Sequence, residues 1–357
     1  MKNQDPPREN LQPIVSLFNN GKLKQALSES NQMLEKFPNS VFLFNISGAS
    51  NAGLMQYDAA INSYKKALKI MPNYAEAYFN MGIALKNKGD LEAAIDSYKM
   101  ALKIKPDYVD VFYNMGNTLK EKGDLEASIT SFKMTLKIKP DHTDAYYNMG
   151  IAQNEKGDLE AAIASFKMTL KIKPDHADAY YNMGNALKDK GYLEAAIDCY
   201  KMTLKIMPDS SDAYFKIGIA LNKKGDFEAA LDSYKMALKI KPDHTDAYYN
   251  MGIALKRKGD FEAALDSYQK ALKIKPFYAP ALSQTHYLAT IMSDWALAKA
   301  LEKNLSSDQL EGNLSVYGLL SLEDNPTMHL KRATKLVKSK YNHLPLFHIR
   351  PPIKSNR

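Results

Sequence analysis

Apolar residues along this chain recur in steps of three and four, break at a glycine or a proline, and then start again. Residues 75–108, AEAYFNMGIALKNKGDLEAAIDSYKMALKIKPDY, carry the pattern once. Tyr78, Met81, Gly82 and Leu85 fall on one face of a first helix, and Glu76, Phe79, Asn80, Ile83 and Lys86 on another. Gly89 and Asp90 then close that helix and open a second, since glycine tolerates the left-handed backbone of a helix end and aspartate caps the next start. The second helix puts Leu91, Ala94, Ile95, Tyr98, Ala101 and Leu102 on one stripe. It stops ahead of Pro106, whose ring disfavours helical backbone at Lys105. The pattern predicts a helical hairpin, with small residues, Gly82 and Ala94, where its two helices approach.

The hairpin repeats. Pro38, Pro72, Pro106, Pro140, Pro174, Pro208, Pro242 and Pro276 stand at a strict spacing of 34 residues. A unit of that size cannot close a core alone, so neighbours must stack into an all-α solenoid. An aromatic, then Asn, an apolar residue and Gly (Tyr78, Asn80, Met81, Gly82), followed by Gly89, Ala94, Tyr98, Ala101 and Pro106, resembles the tetratricopeptide repeat (TPR) signature. The pattern returns through Phe112, Gly116 and Gly123, and again at each period to Tyr248, Gly252 and Gly259. The resemblance implies a right-handed superhelix of about eight hairpins. The boundaries expected are a disordered start at 1–6, repeats over 7–278, a helical cap or linker over 279–341, and a basic, proline-rich extended tail over 342–357. The first two repeats are degenerate: the second has Gly48 but carries Met55 where the turn glycine should be. After Pro276 the period is expected to fail, although residues 279–304 still read as a helical pair around Trp295.

In TPR proteins the first helices line a concave groove, so their second face is where a ligand is expected. There Asn80, Asn114, Asn148, Asn182 and Asn250 occupy one equivalent position, interrupted by Lys216 and ended by Ile46. Beside them stand Phe79, Tyr113, Tyr147, Tyr181, Phe215 and Tyr249. Asparagine offers both a donor and an acceptor, and so can pair with a peptide unit whatever its side chain. With first helices about 10 Å apart and an extended peptide rising about 3.3 Å per residue, one Asn meets about every third peptide residue. The aromatics add apolar contact. The alternative is that these amides satisfy backbone or neighbouring helices.

Other candidates carry less. His142, His176 and His244 follow an aspartate at the turns, too far apart to share a metal, and read as turn caps. No metal or cofactor is expected. Glu76, Asp110, Asp144, Asp178, Asp212 and Asp246 suit the positive ends of the first helices. The groove face lacks the Lys and Arg arrangement of TPR clamps for chaperone carboxy termini.

Charge adds little inside the repeats. The balance of 48 basic against 40 acidic residues gives +8, about half of it in residues 279–357. No clustered basic stripe in the array points to nucleic acid. No apolar run reads as a signal peptide or membrane span. A lone Cys199, where other repeats carry Ser97 or Ser233, fits a reducing compartment and reads as an inert packed thiol. The expectation is a cytoplasmic scaffold that binds proteins or extended peptide segments, not nucleic acid or membrane, with homodimer formation left open.

A second resemblance concerns Ser293 to Lys340. Its Asp294-Trp295 pair and its Leu322 to Leu330 stretch before a basic amphipathic helix are similar to the linker of bacterial O-GlcNAc-transferase-like (SPINDLY-type) glycosyltransferases. There a TPR array precedes the catalytic domain, and the resemblance implies a UDP-sugar transferase acting on Ser or Thr of proteins. The chain carries no nucleotide-binding units, phosphate loop or placed general base, so no catalytic residue is assigned and the chain itself is expected to catalyse nothing. Two readings stand: a peptide-binding scaffold, or the substrate-recognition arm of such a transferase.

Overall fold

A computed structural model describes residues 5–301 apart from 295 and 299. Trp295 and everything after residue 301, including most of the linker and the whole basic tail, lie outside the described residues. The rest is helical. The first sixteen helices come in pairs: α1 (Arg8–Asn19) and α2 (Leu23–Lys36), α3 (Val41–Gly53) and α4 (Tyr57–Ile70), α5 (Ala75–Lys88) and α6 (Leu91–Ile104), α7 (Val109–Lys122) and α8 (Leu125–Ile138). They continue as α9 (Thr143–Lys156) and α10 (Leu159–Ile172), α11 (Ala177–Asp189) and α12 (Leu193–Ile206), α13 (Ser211–Lys224) and α14 (Phe227–Ile240), and α15 (Thr245–Lys258) and α16 (Phe261–Ile274). A further helix, α17 (Ala279–Ile291), follows. The chain divides into two compact units, Met1–Cys199 and Tyr200–Arg357.

In the first unit α4, α6, α8 and α10 each turn one aromatic inward against a glycine of the preceding helix. Tyr64, Tyr98, Phe132 and Phe166 are almost wholly buried. A Cβ on Gly82 would lie 2.5 Å from the Tyr98 ring, and one on Gly116 would lie 2.8 Å from that of Phe132. Only glycine admits a ring that close. Hairpins then share their cores: Tyr64 and Ala67 of α4, Met81 of α5, Tyr98 of α6 and Val111 of α7 belong to one apolar cluster. In the second unit Tyr234 and Tyr268 repeat the contact against Gly218 and Gly252.

Local signals set the helix ends. Asp90, Asp124, Asp226 and Asp260 accept a hydrogen bond from the backbone N–H three residues on, satisfying a donor that a helix start leaves open. Lys105, ahead of Pro106, is extended at φ −127° and ψ 91°. Surface ion pairs join successive hairpins: Lys122 to Glu92 at 2.9 Å and Lys190 to Glu160 at 2.6 Å in the first unit, Lys258 to Glu228 at 2.9 Å in the second.

Two boundaries differ from expectation. Asp5 accepts hydrogen bonds from the Ser40 hydroxyl (2.5 Å) and the Phe42 N–H (3.3 Å), and Pro6 is buried. The open N–H groups of α3 attract that carboxylate, so the packed chain starts ahead of residue 7. At the other end the period does not fail after Pro276. Left-handed turn residues recur every 34 positions, at Gly21, Met55, Gly89, Gly123, Gly157, Gly191, Gly225, Gly259 and Ser293. Asp294 caps the next helix by accepting from Leu297 N–H at 3.0 Å. Leu297 and Leu301 pack against Leu282 of α17. The backbone turns at Ser293 into the second helix of the pair expected over 279–304, and a serine in place of the turn glycine is why the period reads as ending at Pro276.

Met55 and Gly89 occupy the same turn position with opposite fitness. A non-glycine side chain in this conformation costs about 1–2 kcal/mol, partly offset by the entropy glycine loses on folding, about 0.5–1 kcal/mol. Met55→Gly should stabilise the protein by about 0.5–1 kcal/mol. Gly89 has φ 94° and open space around a would-be Cβ, so Gly89→Ala should destabilise by about 1 kcal/mol through the backbone alone. Urea midpoints at unchanged slope read both signs.

Candidate functional site

The twelve residues expected to face a ligand, Phe79, Asn80, Tyr113, Asn114, Tyr147, Asn148, Tyr181, Asn182, Phe215, Lys216, Tyr249 and Asn250, are all half-buried. None is taken into the hairpin core as Tyr98 or Phe132 is. The aromatics of this face, among them Phe79, Tyr113 and Tyr147, pack on the edge of the apolar clusters, and the asparagines stand beside them.

The asparagines do not all behave alike. In the first unit Asn148 Nδ2 donates to the Tyr113 hydroxyl and Asn182 Nδ2 to the Tyr147 hydroxyl, both at 3.0 Å. Asn114 would meet Phe79, which has no hydroxyl; its Nδ2 turns back to the Asp110 carbonyl at 2.8 Å. Asn250 of the second unit stands one repeat after Phe215 and does the same, donating to the Asp246 carbonyl at 2.8 Å. An asparagine therefore bridges to the previous repeat when it finds a tyrosine there and folds onto its own helix when it finds phenylalanine. One amide N–H is used in either case. The Asn148 carbonyl oxygen accepts no hydrogen bond among the described residues.

At the amino-terminal end the ladder shifts by one residue. Ile46 is buried against Ile14 and Leu43, and Asn45 supplies the polar rung by accepting from Asn80 Nδ2 at 3.1 Å. Asn45 was missed because it stands at the position of the aromatics, not of the asparagines. In the second unit the Lys216 ammonium lies 5.9 Å over the Phe215 ring.

The histidines do cap turns: Nδ1 of His142, His176 and His244 each accepts from an alanine N–H at 3.3 Å. They also do something the sequence did not reveal. The His142 ring stacks on Tyr113 at 4.8 Å between centroids, His176 lies 4.7 Å from Tyr147, and His244 lies 4.6 Å from Phe215. Tyr108 and Tyr278 take the same place against Phe79 and Tyr249. The signal is a constant spacing of 29 residues between aromatic and cap. On their other flank Phe79, Tyr113, Tyr147, Phe215 and Tyr249 meet the buried ring of their own hairpin, Tyr113 lying 6.0 Å from Phe132 and Tyr147 6.1 Å from Phe166. These rings are held on two sides, so they offer edges and hydroxyls more than open faces.

Electrostatics follow burial. Tyr147 is pushed above the usual phenol value by desolvation and by Asp178, with the Asn182 hydrogen bond acting the other way. The Tyr278 hydroxyl donates to Asp246 at 2.6 Å and is likewise raised, mostly by burial. Together with Asp212, Asp243 and His244 they line a cleft of about 390 Å³. Among the described residues no group of three or more His, Cys, Asp or Glu is placed to hold a metal ion. No helix among them is long and apolar enough to cross a membrane.

Fold and site define an all-α protein of stacked helical hairpins with a repeated polar and aromatic face. Models described as TPR repeat match residues 56–89, 85–123, 116–157, 154–191, 184–225 and 218–259, and one described as tetratricopeptide repeat matches 245–278. The chain belongs to the tetratricopeptide-repeat family. A stretch of 74 residues is 39% identical to the probable UDP-N-acetylglucosamine--peptide N-acetylglucosaminyltransferase SEC of Arabidopsis thaliana, covering 21% of this chain and 8% of that protein. Among solved structures, MamA is 31% identical over 45% of this chain and 95% of its own, with a TM-score of 0.45. YrrB, described as a TPR protein with an unusual peptide-binding site, is 23% identical over 53% of this chain and 97% of its own, with a TM-score of 0.46.

Two checks bear on this geometry. Tyr147→Phe should release Asn182 onto its own helix, as Phe79 does for Asn114, costing about 0.5–1.5 kcal/mol; the Asn182 side-chain amide resonances should move, and unmoved resonances would mean the bridge does not form. Cys199 is buried, and burial with Asp198 nearby pushes its thiol up to about 11. Thiolate is the reactive form, so a thiol reagent at neutral pH should label Cys199 only after unfolding.

Proposed function

We propose that this protein is an interaction scaffold that holds extended peptide segments along the first helices of its hairpins. The observation that carries the reading is the half-buried row of asparagines whose amides are oriented by the neighbouring tyrosine or by their own helix, with the Asn148 carbonyl left over. An amide pinned through one N–H keeps a carbonyl acceptor and a second N–H for a ligand backbone. Preorganisation matters here, because each net hydrogen bond contributes only about 0.5–1.5 kcal/mol. Such a face binds weakly and with tolerance of sequence.

A second reading, the substrate-recognition arm of an O-GlcNAc-transferase-like glycosyltransferase, is supported by the 39% identity over 74 residues to a protein named as such a transferase. The same face would then guide acceptor proteins to a catalytic domain. We assign the chain itself no catalysis in either reading. Incubation with UDP-GlcNAc and an acceptor protein tests this, and turnover would contradict it.

The scaffold reading predicts that Asn114→Ala with Asn148→Ala weakens binding of extended peptides by about tenfold, from two lost hydrogen bonds, in a variant that stays folded although loss of the Asn148–Tyr113 bridge lowers its stability by about 0.5–1.5 kcal/mol. Fluorescence anisotropy with a mixed-sequence peptide pool measures it. Unchanged affinity in the folded double variant would refute the role of the ladder.

A further inference from the structure

The carboxy-terminal part of the same face carries a cation that its amino-terminal counterpart does not leave exposed to a ligand. Lys86 is the twelfth residue of α5, and its ammonium lies 3.5 Å from Glu121, the thirteenth residue of α7. Lys256 is the twelfth residue of α15, but the thirteenth of α17 is Ile291, which is 49% exposed. Among the described residues no carboxylate pairs with Lys256. Lys256 Nζ donates instead to the neutral Gln284 side-chain oxygen at 2.6 Å and lies 5.1 Å over the Tyr287 ring. Its neighbours on the helix do not help: Arg257 donates to the Asn222 carbonyl at 3.2 Å, and Lys258 is paired with Glu228.

A half-buried ammonium without an opposite charge is unfavourable unless something completes it. Burial, with Arg257 beside it, already pushes Lys256 below the ordinary lysine value. An ammonium has three donors, and Gln284 uses one. Tyr287, 48% exposed, flanks the site with apolar surface. Lysines in the last turn of a helix suit its negative end, but that accounts for Lys258 equally and does not explain why Lys256 is drawn in among Gln284 and Tyr287.

We propose that Lys256, with Gln284 and Tyr287 around it, binds the carboxylate of an aspartate or glutamate in the bound peptide, so that the scaffold selects acidic segments at this end. The inference rests on the peptide-scaffold reading. It concerns a side-chain carboxylate taken by one ammonium on α15, with no contribution assigned to the asparagine row.

The full chain is titrated, by fluorescence anisotropy, against a labelled peptide of alternating Glu and Ser and against its Gln and Ser isostere. The Glu peptide should bind about tenfold tighter, the margin of a charge-assisted over a neutral hydrogen bond. Ile291→Glu should erase that margin by giving Lys256 an internal partner in the place Glu121 holds for Lys86, and Lys256→Gln should erase it independently. Both variants are compared at matched unfolding midpoints. Equal affinity of the parent for the two peptides overturns the inference and leaves the scaffold reading standing. A Glu preference that survives both substitutions reflects the overall positive charge or another site and also overturns it. Binding of neither peptide overturns both readings.

Discussion

A ring pressed against a bare glycine sets the distance between the two helices in six hairpins, at Gly48, Gly82, Gly116, Gly150, Gly218 and Gly252, and the remaining features depend on that contact. With Tyr98 against Gly82 and Phe132 against Gly116, the first helix spends one face on its partner, while the aromatics of its other face, Phe79 and Tyr113, pack on the edge of the same clusters. A methyl group at either glycine would force the helices apart, since a packed interior cannot absorb the overlap without moving side chains and backbone. The same inward aromatic joins a cluster that spans several hairpins, which makes stacking a condition of stability.

Around that contact the protein repeats small devices at a fixed period. Left-handed turns, aspartate caps and exposed ion pairs each fix one joint. The ring pairs between a face aromatic and the next cap link a hairpin to its neighbour through the same residues that frame the candidate site. Stability and recognition therefore share side chains: Tyr113 stacks on His142 and also accepts from Asn148. A ligand meeting this row meets groups that are already oriented, which lowers the ordering cost of binding.

Much of this was legible in the sequence, because hairpins announce themselves through punctuation. Gly89, Asp90 and Pro106 mark a turn, a cap and a stop, and their recurrence identifies the repeat without any tertiary knowledge. The period itself placed Met55 at a turn, and 279–304 read as a helical pair, but that the turn at Ser293 keeps the 34-residue period was not legible, since serine carries no conformational signature that glycine would. The row of asparagines could be read as a row, but not the partner of each amide. That depends on whether Tyr or Phe stands one repeat earlier, a long-range rule that periodicity conceals by making all repeats look alike. Asn45 escaped for a related reason, having moved to the neighbouring position while keeping the contact with Asn80.

The central claim is that ligands lie along the first helices and touch the asparagine and tyrosine row. Side-chain amide and aromatic resonances, recorded for the full chain before and after saturation with an extended peptide pool, test it most directly. The account predicts that the Asn148 and Asn182 amides and the Tyr147 ring shift together while exposed residues of the second helices, such as Lys133 and Lys167, stay in place. Shifts confined to the second helices, or none at saturation, would contradict it.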